Sequence, residues 1–98
     1  MEKLGRCKDF NPDKNVYFGD LHVHTALSLD ANTQGNRVTL PEAYRFARGE
    51  EIGVQPHDAN GNAIRKAQLS RPLDFVAITD HAEFLGLVYG CSVKGTAE

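Results

Sequence analysis

Two histidines, two residues apart in the segment YFGDLHVHT (Tyr17 to Thr25), are the first residues in the sequence whose types and spacing suggest chemistry. Side chains two apart on a strand share a face, so we expect Asp20, His22 and His24 to project together. Two neutral imidazoles side by side are suited to chelating a borderline metal ion such as zinc, manganese or iron. The alternative interpretation is a polar strand face whose histidines are hydrogen-bonded to their neighbours.

A second polar group follows the apolar segment DFVAI, where the sequence continues as TDH and ends in Asp80 and His81. We predict that His81 is a third metal ligand. Metal-binding histidines usually donate their second ring N–H to a carboxylate, which favours Asp20 and Asp80 as the groups that orient the imidazoles. Direct ligation by Asp80 stays open.

Two further carboxylates, Asp30 and Glu83, lie near these histidines in the sequence. Each is a candidate metal ligand or a candidate general base for a metal-bound water, and the alternative is a solvated surface charge. We favour Asp30 because its loop directly follows the HxH strand. His57 lies beside a predicted hairpin turn and is expected to be exposed. No GxGxxG, Walker-type or GxSxG motif is present.

The elements that must position these residues are read from hydrophobic pattern and turn signals. The predicted order is strand, loop, helix, hairpin and strand, over residues 16–23, 25–38, 40–48, 51–69 and 73–79. Thr39 and Glu42 have capping-box spacing at the helix start, and Gly49 is placed to end that helix. Asn60-Gly61 predicts the hairpin turn, with 51–56 pairing with 63–69. The last strand is nearly continuous in apolar residues, which predicts burial on both faces.

Without its hairpin, this order is a βαβ unit with two parallel, adjacent strands. Ligand sites in such sheets gather at the carboxyl ends of the strands. His24 and His81 lie at those two ends. The sequence therefore predicts an α/β fold with a metal site at one edge of the sheet. Residues 1–15 are expected to form an irregular lead-in.

The composition, 41% hydrophobic and 24% charged over 98 residues, is ordinary for one small globular domain. The net charge of −2 indicates no nucleic-acid partner, and no apolar stretch is long enough to cross a membrane. Without a secretory signal in the sequence, the expected location is cytoplasmic. Cys7 and Cys91 lack CxxC spacing and are expected to be reduced thiols.

The segments GDLHVHTALSLDA and LDFVAITDHAEFLG resemble the first two motifs of the polymerase-and-histidinol-phosphatase (PHP) superfamily. Together with PEAYRFARGE and SRPLDF, they look like a PHP-like family of unknown function. The resemblance runs from about residue 11 to residue 86. It implies a distorted (β/α) TIM-like barrel with a centre of two or three metals, which hydrolyses phosphoesters with a metal-bound hydroxide.

By motif, the resemblance makes His22 and His24 the first ligand pair and His81 the ligand after the second strand. PHP proteins often carry a further His after the HxH motif, and Asp30 is the candidate substitute here. The implied substrate is a small molecule, in particular a phosphoester. Nothing in the sequence indicates an oligomeric state.

A TIM-type barrel needs on the order of 200–250 residues. Residues 16–98 are therefore expected to be the truncated, amino-terminal part of a PHP-like metal-hydrolase domain. We expect turnover from the longer protein and none from this chain alone. The alternatives are a non-catalytic metal-binding or truncated inactive module, and an amidohydrolase-type enzyme, which also opens with HxH.

Overall fold

The computed structural model of the chain describes residue 5 and residues 7–92. Its elements are β1 (Gly19–Val23), α1 (Leu29–Thr33), α2 (Leu40–Ala47), β2 (Ile52–His57), β3 (Ala63–Ala67), β4 (Phe75–Ile78) and α3 (Leu85–Ser92). The described residues form two two-stranded sheets and three helices, which is a mixed α/β arrangement without a closed barrel. The barrel stays a prediction. Residues 1–4 and 6 of the predicted lead-in and residues 93–98 of the predicted domain lie outside the described residues.

The first sheet pairs β1 with β4 in parallel, which confirms the predicted pairing of the two strands. Gly19 lies opposite Phe75, and Val23 lies opposite Ile78, with an irregularity in register between Asp20 and Val23. A Cβ on Gly19 would collide with the carbonyl oxygen and the ring of Phe75, so the close approach of the two strands requires glycine there. The parallel pair brings the two predicted polar groups to one edge.

Both strands of this sheet are shorter than predicted. β1 begins at Gly19 rather than Val16, and β4 begins at Phe75 rather than Leu73. The pairing starts where Asp74 binds Phe18, because the Phe18 N–H donates to Asp74 Oδ2 (2.9 Å) and the Asp74 N–H donates to the Phe18 carbonyl (2.8 Å). The predicted burial of β4 on both faces is wrong: Phe75 is exposed and the other three residues are half-buried.

Helix α2 begins as the sequence predicts, with a complete capping box. The Thr39 N–H donates to Glu42 Oε2 (2.8 Å), and the Glu42 N–H donates to Thr39 Oγ1 (3.4 Å). The helix ends at Ala47, one residue earlier than predicted, and Gly49 follows with a φ of +98°. Its buried face is formed by Ala43 and Ala47. The buried face of the helix is therefore built from small residues.

The second sheet is the predicted hairpin, in which β2 and β3 pair antiparallel. Asp58 organises the turn, because its N–H donates to the Asn62 carbonyl (2.8 Å) and its carbonyl accepts from the Gly61 N–H (3.0 Å). Gly61 has a φ of +84°, a conformation that suits glycine. His57, which was expected to be exposed, is half-buried at the end of β2, so that expectation is wrong.

The predicted loop over 25–38 contains the short helix α1. Ser28 has the extended backbone of a helix N-cap, Asp30 lies in the first turn, and Gly35 with a φ of +91° follows the helix. The polar composition suggested a loop because a five-residue helix shows too little periodicity to be recognised. The segment after Glu83 contains α3.

The buried apolar side chains of the described residues are few. They are Val38, Ala43, Ala47 and Val88. Large apolar side chains along β1 and the segment before it are exposed, among them Phe18 and Leu21. No helix within residues 7–92 has the length and hydropathy to cross a membrane. The most deeply buried side chains are polar, and they lie at the candidate site.

Candidate metal centre

The carboxyl ends of β1 and β4 are joined by hydrogen bonds beyond the last paired residues. The Thr79 N–H donates to the Val23 carbonyl (2.7 Å), and the Val23 N–H donates to Thr79 Oγ1 (3.2 Å). These bonds extend the parallel pairing to the point where each strand emerges from the sheet. They bring the residues after Val23 beside the residues after Thr79, although the two segments are far apart in the sequence.

A buried polar contact closes this edge of the sheet. The Thr25 side chain is 0% exposed, and its hydroxyl donates to Asp80 Oδ2 (2.7 Å) while its N–H donates to Asp80 Oδ1. Thr25 Oγ1 also accepts from the Leu27 N–H (3.2 Å). Within the described residues, the hydrogen bonds of Asp80 therefore hold the loop after β1. The sequence predicted that its carboxylate would orient an imidazole.

Ser28 connects the two halves of the site. Its side chain is 0% exposed, its hydroxyl donates to Asp30 Oδ1 (2.6 Å), and its Oγ accepts from the His81 N–H (3.0 Å). Asp30 Oδ1 also accepts from the Ala31 N–H (2.8 Å). One buried hydroxyl therefore fixes a carboxylate from the first loop relative to the backbone of the second.

His24, Asp30 and His81 converge on one point, and we call these three residues the His–Asp cluster. Asp30 Oδ2 lies 2.8 Å from His24 Nδ1 and 3.5 Å from His81 Nε2. One potential ligand atom from each residue lies within 4.8 Å of the other two. The two imidazole rings meet nearly edge to face, with centroids 4.7 Å apart.

The chemistry and spacing of the His–Asp cluster fit a divalent metal ion. Two imidazole nitrogens and a carboxylate oxygen are ligands that zinc, iron and manganese all accept. Ligand atoms at tetrahedral zinc are about 3.4 Å apart when each bond is about 2.1 Å. The 2.8 Å and 3.5 Å separations lie on either side of that value, but the group as a whole extends to 4.8 Å, so the three side chains would have to move closer together to bind one ion.

Asp30 has two possible roles at a metal ion. If Oδ2 and both histidines bind the ion directly, the hydrogen bond to His24 Nδ1 is exchanged for two metal bonds. If the hydrogen bond persists, Asp30 orients His24 so that Nε2 faces the ion, which is the common carboxylate–histidine arrangement. In both cases the Asp30 carboxylate is required.

The remaining predicted site residues lie around the His–Asp cluster. The His22 ring is 4.8 Å from the His24 ring by centroids, but it lies outside the three-residue group. Asp20 Oδ1 accepts from the backbone N–H of His22 (2.8 Å). Glu83 Oε2 lies 3.6 Å from His81 Nδ1 and is exposed to solvent. Ligation by His22 and imidazole orientation by Asp20 stay predictions.

The electrostatic environment of Asp30 favours its charged form. The hydrogen bond from Ser28 is the largest effect on the pKa of Asp30; desolvation opposes it, and the hydrogen bonds from His24 and the Ala31 N–H add to it, so that the pKa is lowered to about 2. Such a carboxylate is ionised at neutral pH and ready to bind a cation. It is a weak proton acceptor, because an efficient general base has a pKa near the working pH. The environment therefore favours metal ligation over base catalysis for Asp30.

The sequence predictions did not include Thr25 and Ser28, whose hydroxyls hold the site together. Both lie in the segment HTALSLD, which reads as an ordinary polar loop. One local signal was available for Ser28, because a serine two residues before an aspartate is typical of a helix N-terminus. Thr25 offers no comparable signal, since its partner Asp80 is 55 residues away.

A family model described as "Protein of unknown function (DUF3604)" matches residues 11–97, which is most of the chain and includes every residue of the His–Asp cluster. Searches of the curated proteins and of the solved structures found no match.

Proposed function

The chain belongs to the DUF3604 family of proteins of unknown function, and we propose that it forms the metal-binding edge of a metal-dependent hydrolase that acts on phosphoesters. The observation that carries the proposal is the convergence of His24, Asp30 and His81. They meet beside the carboxyl ends of two parallel strands, where α/β enzymes place their ligand sites.

Each residue of the proposed metal site has its own role. His24 and His81 are neutral imidazole ligands, and Asp30 supplies a negative charge that is already present at neutral pH. A bound divalent ion would act as a Lewis acid and make water a nucleophile near neutral pH. Glu83 is the candidate base, because its exposed carboxylate lies 3.6 Å from His81 Nδ1 and can exchange protons with solvent.

The buried polar contacts support a site that is held in place before a ligand arrives. Thr25 and Asp80 lock the two strand ends together, and Ser28 holds Asp30 against the backbone of His81. Residues fixed in this way lose little conformational entropy when they bind an ion. Preorganisation of this kind is typical of metal and catalytic sites.

The choice of phosphoesters rests on the likeness to the PHP superfamily. We propose that the DUF3604 family is related to that superfamily through its HxH and TDH segments, in which His24 and His81 occupy corresponding strand ends. In this interpretation Asp30 replaces a histidine. The interpretation also makes β1, α2 and β4 part of a distorted barrel.

Metal binding by the 98-residue chain is the first test. Purified chain is freed of metal with a chelator and titrated with Zn²⁺, Mn²⁺ and Fe²⁺ in a calorimeter. We expect one tight site, with affinity reduced at least about 100-fold in His24→Ala and His81→Ala, because each variant removes one of three protein ligands. His57→Ala is the matched control, since His57 lies on the hairpin, outside the cluster.

Two results would contradict this metal site. One is the absence of binding by any of the three ions, and the other is an equal loss of affinity in His57→Ala. Substitution with Co²⁺ adds a spectroscopic check, because a site with nitrogen and oxygen ligands gives visible absorption that should disappear in His81→Ala.

The second test separates hydrolysis from metal binding alone. The natural protein, loaded with the ion that binds most tightly, is assayed with p-nitrophenyl phosphate and with a cyclic amide. Metal-dependent release of p-nitrophenol that is abolished in Asp30→Ala supports the phosphoesterase. Selective cleavage of the amide would favour an amidohydrolase. Tight binding without turnover of either substrate would leave a non-catalytic metal-binding module.

A further inference from the structure

Two neighbouring cavities, which together we call the groove, lie between the hairpin and His24. Its outer part is a cavity of about 630 Å³ between the segment after α1 and the hairpin, and its inner part is a cavity of about 350 Å³ that reaches His24. Gln55 and Arg65 line both cavities, so the two parts share a wall. The two parts of the groove are therefore adjacent, and the inner part reaches one residue of the His–Asp cluster, His24.

The outer part of the groove is positively charged. Arg37, Arg65 and the imidazole of His57 line it, and neither cavity has a carboxylate among its lining residues. Among the described residues, neither arginine forms an ion pair. Two unpaired guanidinium groups in one concave surface favour an anion, and this local charge is opposite to the net charge of −2 of the chain.

Hydrogen bonds to the backbone hold both guanidinium groups in fixed positions. Arg37 Nη1 donates to the carbonyls of Asn32 (3.0 Å) and Asn36 (2.8 Å). Arg65 donates from Nε (2.9 Å) and Nη2 (2.8 Å) to the Gln55 carbonyl. Carbonyl oxygens orient the charge without neutralising it. The N–H groups outside these four hydrogen bonds, on Nε and Nη2 of Arg37 and on Nη1 and Nη2 of Arg65, can donate to a ligand.

The inner part of the groove is apolar. Val38, Phe46 and Val54 line it together with Arg65 and His24. An aromatic or aliphatic group fits these apolar side chains, because burying apolar area is favourable. The outer part of the groove is therefore cationic, and the inner part offers apolar surface next to Arg65 and His24.

We propose that this groove binds an organic anion, a phosphate or a carboxylate, whose apolar body lies along Phe46 and Val54 and whose charged end binds Arg37 and Arg65. That this ligand is the hydrolase's substrate rests on the proposed function. In that case the scissile ester lies at the apolar end near His24, and the anion at the arginines is a second, uncleaved charge. The substrate class is then a phosphoester that carries a separate anionic group.

The test measures anion binding in the absence of metal. The ¹⁵N-labelled 98-residue chain is titrated in EDTA with phenyl phosphate, with benzoate and with benzyl alcohol as the neutral analogue. We expect the amide signals of Gly35, Gln55 and Gly61, which line the outer cavity, to shift with one of the anions, with millimolar affinity, and to shift at least about 10-fold more weakly with the alcohol. The anion with the higher affinity identifies the charged group.

Three variants locate the binding. Arg37→Gln removes one positive charge. Arg65→Lys keeps the positive charge on the hairpin but removes the planar guanidinium group and its paired N–H donors. Each should weaken anion binding about 10-fold, the usual effect of losing one charge-assisted hydrogen bond. Arg45→Gln, an exposed position on α2 outside the groove, is the matched control and should bind as the wild type does. Circular dichroism checks that each variant is folded.

The outcomes separate this inference from the proposed function. Equal affinity for benzyl alcohol and the anions, no shift with either anion, or an equal loss in Arg45→Gln would overturn the anion groove and leave the metal site untouched. Anion binding that follows Arg37 and Arg65 in a chain that binds no metal would support the groove and refute the hydrolase.

Discussion

Replacing Ser28 with alanine should destabilise the chain far more than an ordinary serine substitution. The hydroxyl is fully buried and makes two hydrogen bonds, to Asp30 Oδ1 and from the His81 N–H. Alanine fills the same space but offers neither a donor nor an acceptor. The two partners then lose their contacts, and the segments after β1 and β4 lose their direct connection through this side chain.

The magnitude follows from the two hydrogen bonds. A bond to a charged group contributes roughly 1.5–3 kcal/mol, and a neutral bond contributes roughly 0.5–1.5 kcal/mol. The Asp30 side chain is 47% exposed, so its carboxylate regains water in the variant and the loss falls in the lower half of the combined range. We expect the free energy of unfolding to decrease by about 2–3 kcal/mol. The melting temperature should fall by roughly 10–20 °C for a chain of this size.

Urea unfolding followed by circular dichroism measures this change in the metal-free chain. Ser92→Ala is the control, because that hydroxyl also makes one hydrogen bond, to the Val88 carbonyl (2.8 Å), but belongs to an exposed residue on α3. In Ser92→Ala the free energy of unfolding should decrease by less than about 0.5 kcal/mol. A Ser28→Ala effect as small as that of the control would refute the argument that Ser28 joins the two halves of the site.

The same substitution should change the titration of Asp30. The Ser28 hydrogen bond is the largest cause of the lowered pKa, so its removal should raise the pKa from about 2 toward the ordinary value of 3.8. Because the folded-state pKa is lowered, the ionised carboxylate stabilises the fold above pH 3.8 and this contribution is lost as the pH falls toward 2. In the variant this contribution is smaller, and its loss is complete at a higher pH than in the wild type. Carboxyl ¹³C shifts measure the pKa, and an unchanged value would contradict the assigned cause.

Three further predictions test the fold. Gly19→Ala should unfold the chain or cost at least about 3 kcal/mol, because its Cβ would collide with the Phe75 carbonyl and disrupt the parallel pair; near-native urea stability would contradict this contact. The hydrogen bond to Asp9 raises the pKa of Tyr17 in the folded chain. The stability that this hydrogen bond contributes is therefore present below pH 10.0 and is lost as the pH rises through the higher pKa of the folded state. The difference in absorbance at 295 nm between wild type and Tyr17→Phe measures that pKa, which Asp9→Asn should lower. Thr39→Ala should cost about 1 kcal/mol by removing the capping box, and no change in melting temperature would count against that cap.

The fold was predictable where the signal was local. Thr39 and Glu42 identified the start of α2, and Asn60-Gly61 identified the hairpin turn, because caps and tight turns depend on residues a few positions apart. The parallel pairing followed from the order of the elements. The length of the first strand was overestimated because the backbone before Gly19 binds Asp74 instead of a strand, a partner that no local pattern reveals.

The sequence singled out His24, Asp30 and His81, which the structure brings together, but it did not indicate the residues that hold them in place. His24 and His81 have residue types and strand-end positions that indicate chemistry by themselves. Thr25 and Ser28 are small hydroxyl residues in a polar loop, and such residues are usually exposed. Their burial depends on Asp80 and on the His81 backbone, which come from more than 50 residues further along the chain.

The distance along the chain between Thr25 and Asp80 also sets when the site comes into existence. The two residues are 55 positions apart, and the contacts that complete the site join the first and the last strand. During synthesis at roughly 5–20 residues per second, Asp80 is added to the chain about 3–11 seconds after His24. Until then the histidines of β1 have no partner strand, and the residues that the proposed metal site needs are not yet together. If the proposed site binds an ion, metal retention would therefore report that the parallel sheet has closed.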